Sequence, residues 1–251
     1  ENNASQYNML SNLLKWGRIE GYISWDDIED RVRYFHNSGG WDNESEFTEH
    51  ELDDFLSGYR RDLMQTLEKY VEIWIEKDAL SSIFRRVAFP YCVSVVVCRG
   101  FSSVSFLNDY KRRIDCHKDK QPVMLYFGDF DPSGIEMLES MKTTMENELM
   151  CPGIVYKRVA LNLPDIDAYN LPAAPDALKS TDSRAKKFKE LYGSLSVELD
   201  ALSPDVLEGK VKDAIEREID IAAYNYEVRK HNSELDKINS LKERVVEFMG
   251  N

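Results

Sequence analysis

The sequence has 251 residues, 43% of them apolar and 31% charged, with a formal net charge of -13, a balance that excludes a disordered or collagen-like chain and fits one large domain or two small ones. So acidic a chain does not coat nucleic acid over its whole surface, and its longest apolar stretch, Val87 to Cys98, is broken by Pro90 and Ser94, far short of the roughly 20 residues of a membrane span. The four cysteines (Cys92, Cys98, Cys116, Cys151) form no C-x-x-C pair and the four histidines no H-E-x-x-H or similar spacing, so neither a zinc site nor a dense disulfide framework is indicated and a reducing, cytoplasmic setting is expected.

The chain opens at Glu1 without Met and without a charged-then-apolar leader, so no signal peptide is expected. Between Asn8 and Ile19, Met9, Leu10, Leu13 and Leu14 recur at helical spacing, and GYISWDDIEDRVRYF adds aromatic and β-branched residues beside another short helical pattern. This predicts a small helical subdomain, of a composition that suits a winged helix. HNSGGWDNES is a loop by its Gly, Asn and Ser content. From about Thr48, an N-cap with Glu51 three residues on, a second helix is predicted with the stripe Leu52, Phe55, Leu56, Tyr59, Leu63, Leu67 and Tyr70.

From Val71 to Leu161 short apolar runs alternate with helical segments: VEIWIE, KDALSSIFRRVAF, VSVVVCR, SVSFLNDYKRRI, PVMLYFGD, SGIEMLESMKTTMENEL and IVYKRVAL. Continuous Val/Ile/Leu runs are what a strand covered on both faces requires, so the fold class is α/β, a mostly parallel sheet flanked by helices. Pro164 to Ser194 reads as a long irregular connection with one helix near Ser183 to Tyr192, followed by a strand-like SVELDAL and a helix from Pro204. A long C-terminal helix follows, with Ile221, Tyr224, Val228, His231, Leu235, Ile238 and Val245 at three- and four-residue steps. It forms either a dimer or partner-subunit coiled coil or a helix laid along its own domain. The expected organisation is a helical part over 1–70, an α/β domain over 71–161 and a C-terminal extension over 162–251.

Basic and acidic side chains number 7 and 15 over residues 1–70, 9 and 8 over 71–135, and 16 and 22 over 136–251. The least acidic third also holds the most informative motif, YFGDFDPSG from Tyr126 to Gly134. It follows an apolar run and precedes a helical pattern, which puts Asp129 and Asp131 at the carboxyl end of a parallel strand, where open α/β sheets place ligands. Carboxylates at i and i+2 there can share a hard cation such as magnesium, which takes one or two carboxylates with water and phosphate oxygens. Glu76 ends the first strand of the same unit, so three carboxylates are expected at one edge, where burial without a cation raises their pKa values. Arg99, at the end of the second strand, opens toward that edge and, with Lys77, is positioned to hold a phosphate; Gly100 permits a tight turn before a helix whose amide end favours an anion.

A Glu after the first strand, a Gly after the second and D-x-D followed by Gly after the third resemble the Toprim domain of topoisomerases, primases and several nucleases. The form GDFDPSG is most similar to that of the topoisomerase VI A subunit and the related meiotic double-strand-break transesterase. The resemblance covers about residues 71 to 161, and EKDAL, CRGFSS, GDFDPSG and ELDAL also resemble segments of bacterial and phage Toprim proteins. It implies a divalent-metal site, Mg²⁺ or Mn²⁺, for phosphodiester chemistry on nucleic acid, DNA before RNA, with Glu76 as general acid or base and Asp129 and Asp131 as metal ligands.

The transesterases also carry a nucleophilic tyrosine in a winged-helix domain ahead of Toprim. Tyr34 lies in the corresponding region, with Tyr7 and Tyr22 as the remaining N-terminal candidates, but no arginine-rich segment of the expected form precedes any of them. Without that tyrosine the expected reaction is hydrolysis, in a Toprim-type nuclease, or the chain is a DNA-binding subunit inactive without its partner. Glu198 and Asp200 are either further metal ligands completing a two-metal site or an acidic strand face that meets water or caps the next helix. Lys179, Asp182, Arg184, Lys186 and Lys187 form the basic patch of the C-terminal half, as a phosphate contact or a solvated helix face.

Overall fold

The computed structural model describes residues 4–28, 39–98, 100, 102–173, 183–193 and 195–249. Two compact units divide the chain, Glu1–Asp54 and Phe55–Asn251. The first contains helix α1 (Ala4–Ile19), a 3-10 turn at Trp25–Asp27 and helix α2 (Glu44–Asp54). Beyond α1 the chain folds back, with the amides of Tyr22 and Ile23 donating to the Gly17 carbonyl at 2.8 and 3.1 Å. Helix α2 starts four residues before the predicted Thr48, because Asn43 caps it by accepting the Glu46 amide at 2.9 Å, while the Thr48 hydroxyl donates to the Glu44 carbonyl inside the helix. It ends at Asp54, and Leu56 adopts a left-handed conformation at φ 62°, so the expected stripe from Leu52 to Tyr70 does not lie on one helix. Tyr34 lies outside the described residues.

The second unit is built on a four-stranded, all-parallel sheet in the order β2-β1-β3-β4, with β1 Lys69–Ile75, β2 Ser94–Val97, β3 Gln121–Phe127 and β4 Val155–Ala160. All four fall on the runs expected as strands. The central pair, β1 and β3, is apolar at successive positions because both faces are covered. Ile73, Ile75, Leu125 and Phe127 point into one core with Phe84 of α3 (Ser81–Ala88) and Leu207, Val211 and Ile215 of α8 (Pro204–Glu216). Trp74, Met124 and Tyr126 point into the other, with Leu107 and Tyr110 of α4 (Val104–Asp115) and Met137 and Met141 of α5 (Pro132–Thr143). The alternation of a strand thus feeds two cores from one segment.

Glu72 of β1 is fully buried and would be costly alone. The guanidinium of Arg113 on α4 grips both its oxygens at 2.6 and 3.0 Å, the Trp74 indole donates at 2.9 Å, and the Tyr70 hydroxyl donates as well.

Two C-terminal elements differ from expectation and one agrees with it. Leu163–Tyr169 forms a helix, α6, inside the stretch read as irregular; Pro164 sits in its first turn, where its missing amide costs nothing, and Asn162 and Asp165 make a reciprocal capping box. Helix α7 (Ser183–Tyr192) lies where a helix was expected. SVELDAL is not a strand: Val197 alone pairs, antiparallel with Phe130, and Leu199–Ala201 turn into a 3-10 helix. The period-two spacing of Val197 and Leu199 arises because the bridge and the turn bury both.

The C-terminal helix α9 runs from Ile221 to Met249. It is tied to its own unit where Arg61 donates to Glu227 at 2.6 Å and to Glu234 at 2.8 Å and the Tyr59 hydroxyl meets Glu234. Further on, Leu241, Val246 and Phe248 are exposed. Among the described residues no helix is long and apolar enough to cross a membrane.

Candidate functional site

Glu76 directly follows β1 and remains attached to the sheet through its amide, which donates to the Phe127 carbonyl at 3.0 Å. Phe127 ends β3, the neighbour of β1, so the chain leaving β3 passes beside Glu76. The amide of Asp129 donates to Glu76 Oε2 at 3.2 Å, and the Tyr126 hydroxyl donates to the same oxygen at 3.3 Å. Glu76 and Asp129, 53 positions apart in sequence, therefore meet because their strands are hydrogen-bonded neighbours.

Asp129 Oδ1 accepts the Leu199 amide at 2.7 Å, which ties the loop after β3 to the 3-10 turn at Leu199–Ala201. Asp131 is the N-cap of α5, its Oδ1 accepting the Gly134 amide at 2.6 Å, with Pro132 in the first turn. Gly134 is required by space: a Cβ there would collide with the Asp129 carbonyl oxygen and stand 3.2 Å from Glu76 Oε2.

Burial, reinforced by the Asp129 carboxylate, pushes the Glu76 carboxyl up to about 7, against the opposing hydrogen bond from the Asp129 amide. Burial also raises Asp129, with the Leu199 amide and Lys77 pulling the other way and Asp131 adding to the rise. Two neighbouring carboxyls are thus both penalised as anions.

Lys77 does not stand free to hold a phosphate. Its ammonium donates to Glu198 Oε2 at 3.0 Å and to Asp200, and although burial opposes its charge, these hydrogen bonds raise its pKa. Glu198 and Asp200 are both exposed and share this lysine. Arg99 lies outside the described residues; Gly100 takes a left-handed conformation at φ 80°, and Ser103 caps α4 by accepting the Phe106 amide at 3.2 Å. Tyr7 lies in α1 and Tyr22 is exposed just after it. Lys179 and Asp182 lie outside the described residues, while Arg184, Lys186 and Lys187 fall on α7, where Lys186 is exposed.

Sequence reasoning missed Arg158. This mostly buried residue of β4 donates to the carbonyls of Leu161 (2.9 Å), Gly134 (2.8 Å), Gly128 (3.1 Å) and Asp129 (2.5 Å). One guanidinium thus clamps the loop carrying Asp129 to the first turn of α5, and burial lowers its own pKa. The visible signal was Lys157-Arg158 inside an otherwise apolar strand of a covered sheet.

Among the described residues, no group of three His, Cys, Asp or Glu side chains closes around a single point as a metal cage. The donor chemistry nonetheless suits a hard divalent cation. Glu76, Asp129 and Asp131 each place one carboxylate oxygen on a backbone amide and leave the second without a hydrogen bond among the described residues. A cation at the free oxygens would relieve the penalty on Glu76 and Asp129. No protein-family model matches the chain, and no curated protein matches it either.

Proposed function

We propose that the chain is a Toprim-type, divalent-metal-dependent nuclease that hydrolyses phosphodiester bonds of DNA at the edge carrying Glu76, Asp129 and Asp131. The observation that carries this reading is the meeting of Glu76 with Asp129, 3.2 Å from carboxylate to amide, at the carboxyl ends of adjacent parallel strands, the place where open α/β sheets bind ligands. Glu76, Asp129 and Asp131 would hold Mg²⁺ or Mn²⁺. When bound, such a cation supplies positive charge opposite the phosphodiester oxygens.

The remaining chemistry falls to the chain itself. Glu76, whose carboxylate stands beside the Asp129 amide at the strand end, would accept the proton of an attacking water and return one to the departing sugar oxygen as the P–O bond breaks. Asp131 is held in orientation by the Gly134 amide and Asp129 by that of Leu199, so neither carboxylate needs to reorganise. Arg158 ties the Gly128 and Asp129 carbonyls to the Gly134 carbonyl in the first turn of α5 and so positions the loop that carries Asp129. Lys77 is matched by Glu198 and Asp200, which leaves those two acids engaged with a lysine.

The exposed Leu241, Val246 and Phe248 at the end of α9 favour a second reading, a topoisomerase VI A-like subunit that needs a partner for turnover. Plasmid and single-strand cleavage with Mg²⁺ or Mn²⁺, run beside Asp129→Ala and an EDTA control, separates the two. Metal-dependent nicking that disappears in Asp129→Ala is expected. Equal cleavage by Asp129→Ala would refute this site, and no cleavage by wild type with calorimetric metal binding intact would refute the self-sufficient enzyme in favour of the subunit.

A further inference from the structure

At the opposite end of the strands from the carboxylates, a cavity of about 400 Å³ is lined by Arg60, Arg61, Lys69, Tyr70, His117 and Lys120. Ser94 and Lys69, the first residues of β2 and β1, also line it, so it sits at the amino-terminal edge of the sheet. Two of its cations are matched: Arg61 by Glu227 and Glu234, and Lys69 by Glu218 at 3.1 Å. Two are not. No carboxylate among the described residues lies within ion-pair distance of Arg60 or Lys120. The Arg60 guanidinium rests 3.5 Å from the centroid of the Phe89 ring, and the Lys120 ammonium donates to the backbone carbonyls of Met64 and Gln65 at 2.6 and 3.0 Å. The acid on the wall, Asp62, accepts the Met64 amide at 2.9 Å.

In a chain of net charge -13, two unmatched cations facing one hollow run against the overall field. Part of the wall is aromatic, with His117 stacked on Tyr70 at 4.3 Å between centroids. The volume lies in the range of small-molecule sites and exceeds what a bare phosphate needs. We propose that this cavity binds a phosphomonoester, as a nucleoside monophosphate or as the phosphorylated end of a nucleic-acid strand, with Arg60 and Lys120 on the phosphate oxygens and the Tyr70–His117 wall beside the nucleoside. A phosphomonoester carries close to two negative charges and a guanidinium fits phosphate geometry, so Arg60 and Lys120 offer it two cations against the one wall carboxylate of Asp62. Strand β1 separates the cavity from Glu76 by about 20 Å at roughly 3.3 Å per residue, so a ligand of this size does not reach the carboxylates.

Calorimetry on the full chain in magnesium-free buffer tests it, with adenosine monophosphate, a 5′-phosphorylated single-stranded oligonucleotide and its dephosphorylated twin as probes. At least one phosphorylated probe is expected to bind, the dephosphorylated twin at least tenfold more weakly. Tighter binding of the monophosphate points to a free nucleotide, and tighter binding of the phosphorylated strand to a strand end. Arg60→Gln and Lys120→Gln each lose a charge-assisted contact and weaken binding by roughly tenfold or more. Arg60 is exposed against a ring, so Arg60→Gln melts with wild type and its loss of binding is not a loss of fold. Asp129→Ala binds as tightly as wild type, which keeps this cavity distinct from the carboxylate edge. No binding of either phosphorylated probe, binding of the dephosphorylated oligonucleotide as tight as that of the tighter phosphorylated probe, or wild-type affinity in either glutamine variant would overturn the assignment.

Discussion

Replacing Glu76 by Gln measures what the fold spends on holding a carboxylate at the strand edge. Burial and the Asp129 carboxylate carry the Glu76 carboxyl from 4.5 to about 7. Between those values the folded chain keeps a proton that the unfolded chain has released, so the stability that Glu76 contributes is complete below 4.5 and is lost as pH rises through about 7. The displacement corresponds to about 3 kcal/mol before screening, and because Glu76 is only part-buried, solvent reduces it to roughly 2 kcal/mol. Glutamine keeps an acceptor oxygen for the Asp129 amide and the Tyr126 hydroxyl but cannot ionise. In EDTA at about pH 8, Glu76→Gln should therefore melt roughly 4–8 °C above wild type, and the gap should close as pH falls toward the unfolded value. Thermal melts followed by circular dichroism across this range read it directly. Adding magnesium should narrow the gap by stabilising wild type alone. Coincident melts at about pH 8, or a gap that stays constant down to about pH 5, would refute an uncompensated carboxylate at this edge.

Two further substitutions probe the packing that holds the site. Gly134→Ala adds a Cβ 3.1 Å from the Asp129 carbonyl carbon and in collision with its oxygen; strain of roughly 1–3 kcal/mol outweighs the gain of about 1 kcal/mol in helix propensity, so the melting temperature should fall, and metal-dependent cleavage should drop about 100-fold through misplacement of Asp129. A melting temperature at or above wild type would contradict the clash. Arg113→Leu strands the fully buried Glu72 carboxylate, which should cost about 3–5 kcal/mol in urea unfolding; adding Glu72→Gln should recover part of it, and no recovery would show that the charge is not the cause.

The four strands and helices α3 to α5 were legible because a strand covered on both faces must be apolar at consecutive residues and a helix packed on one face must not. Asp129 and Asp131 were legible for the same reason, since an abrupt D-x-D after PVMLYF can only lie where the covered strand ends. Helix α6 was hidden by Pro164, which in a list of residues reads as a breaker and in place opens a helix. The continuous helix through Leu63 and Leu67 was wrong because both residues are buried in the second unit, at a spacing that packing and not helix periodicity imposes.

Local chemistry therefore determined which residues stand at the ends of strands, because periodicity and chain punctuation act over a few neighbours. Which ends come together was decided only in three dimensions. The order β2-β1-β3-β4 places Glu76 beside Asp129, brings Leu199 to Asp129 across 70 positions, engages Lys77 with Glu198 and Asp200, and turns Arg158 of β4 into the clamp of a loop on β3. Those pairings depend on sheet order and on the burial it creates, and no spacing along a single chain encodes either one.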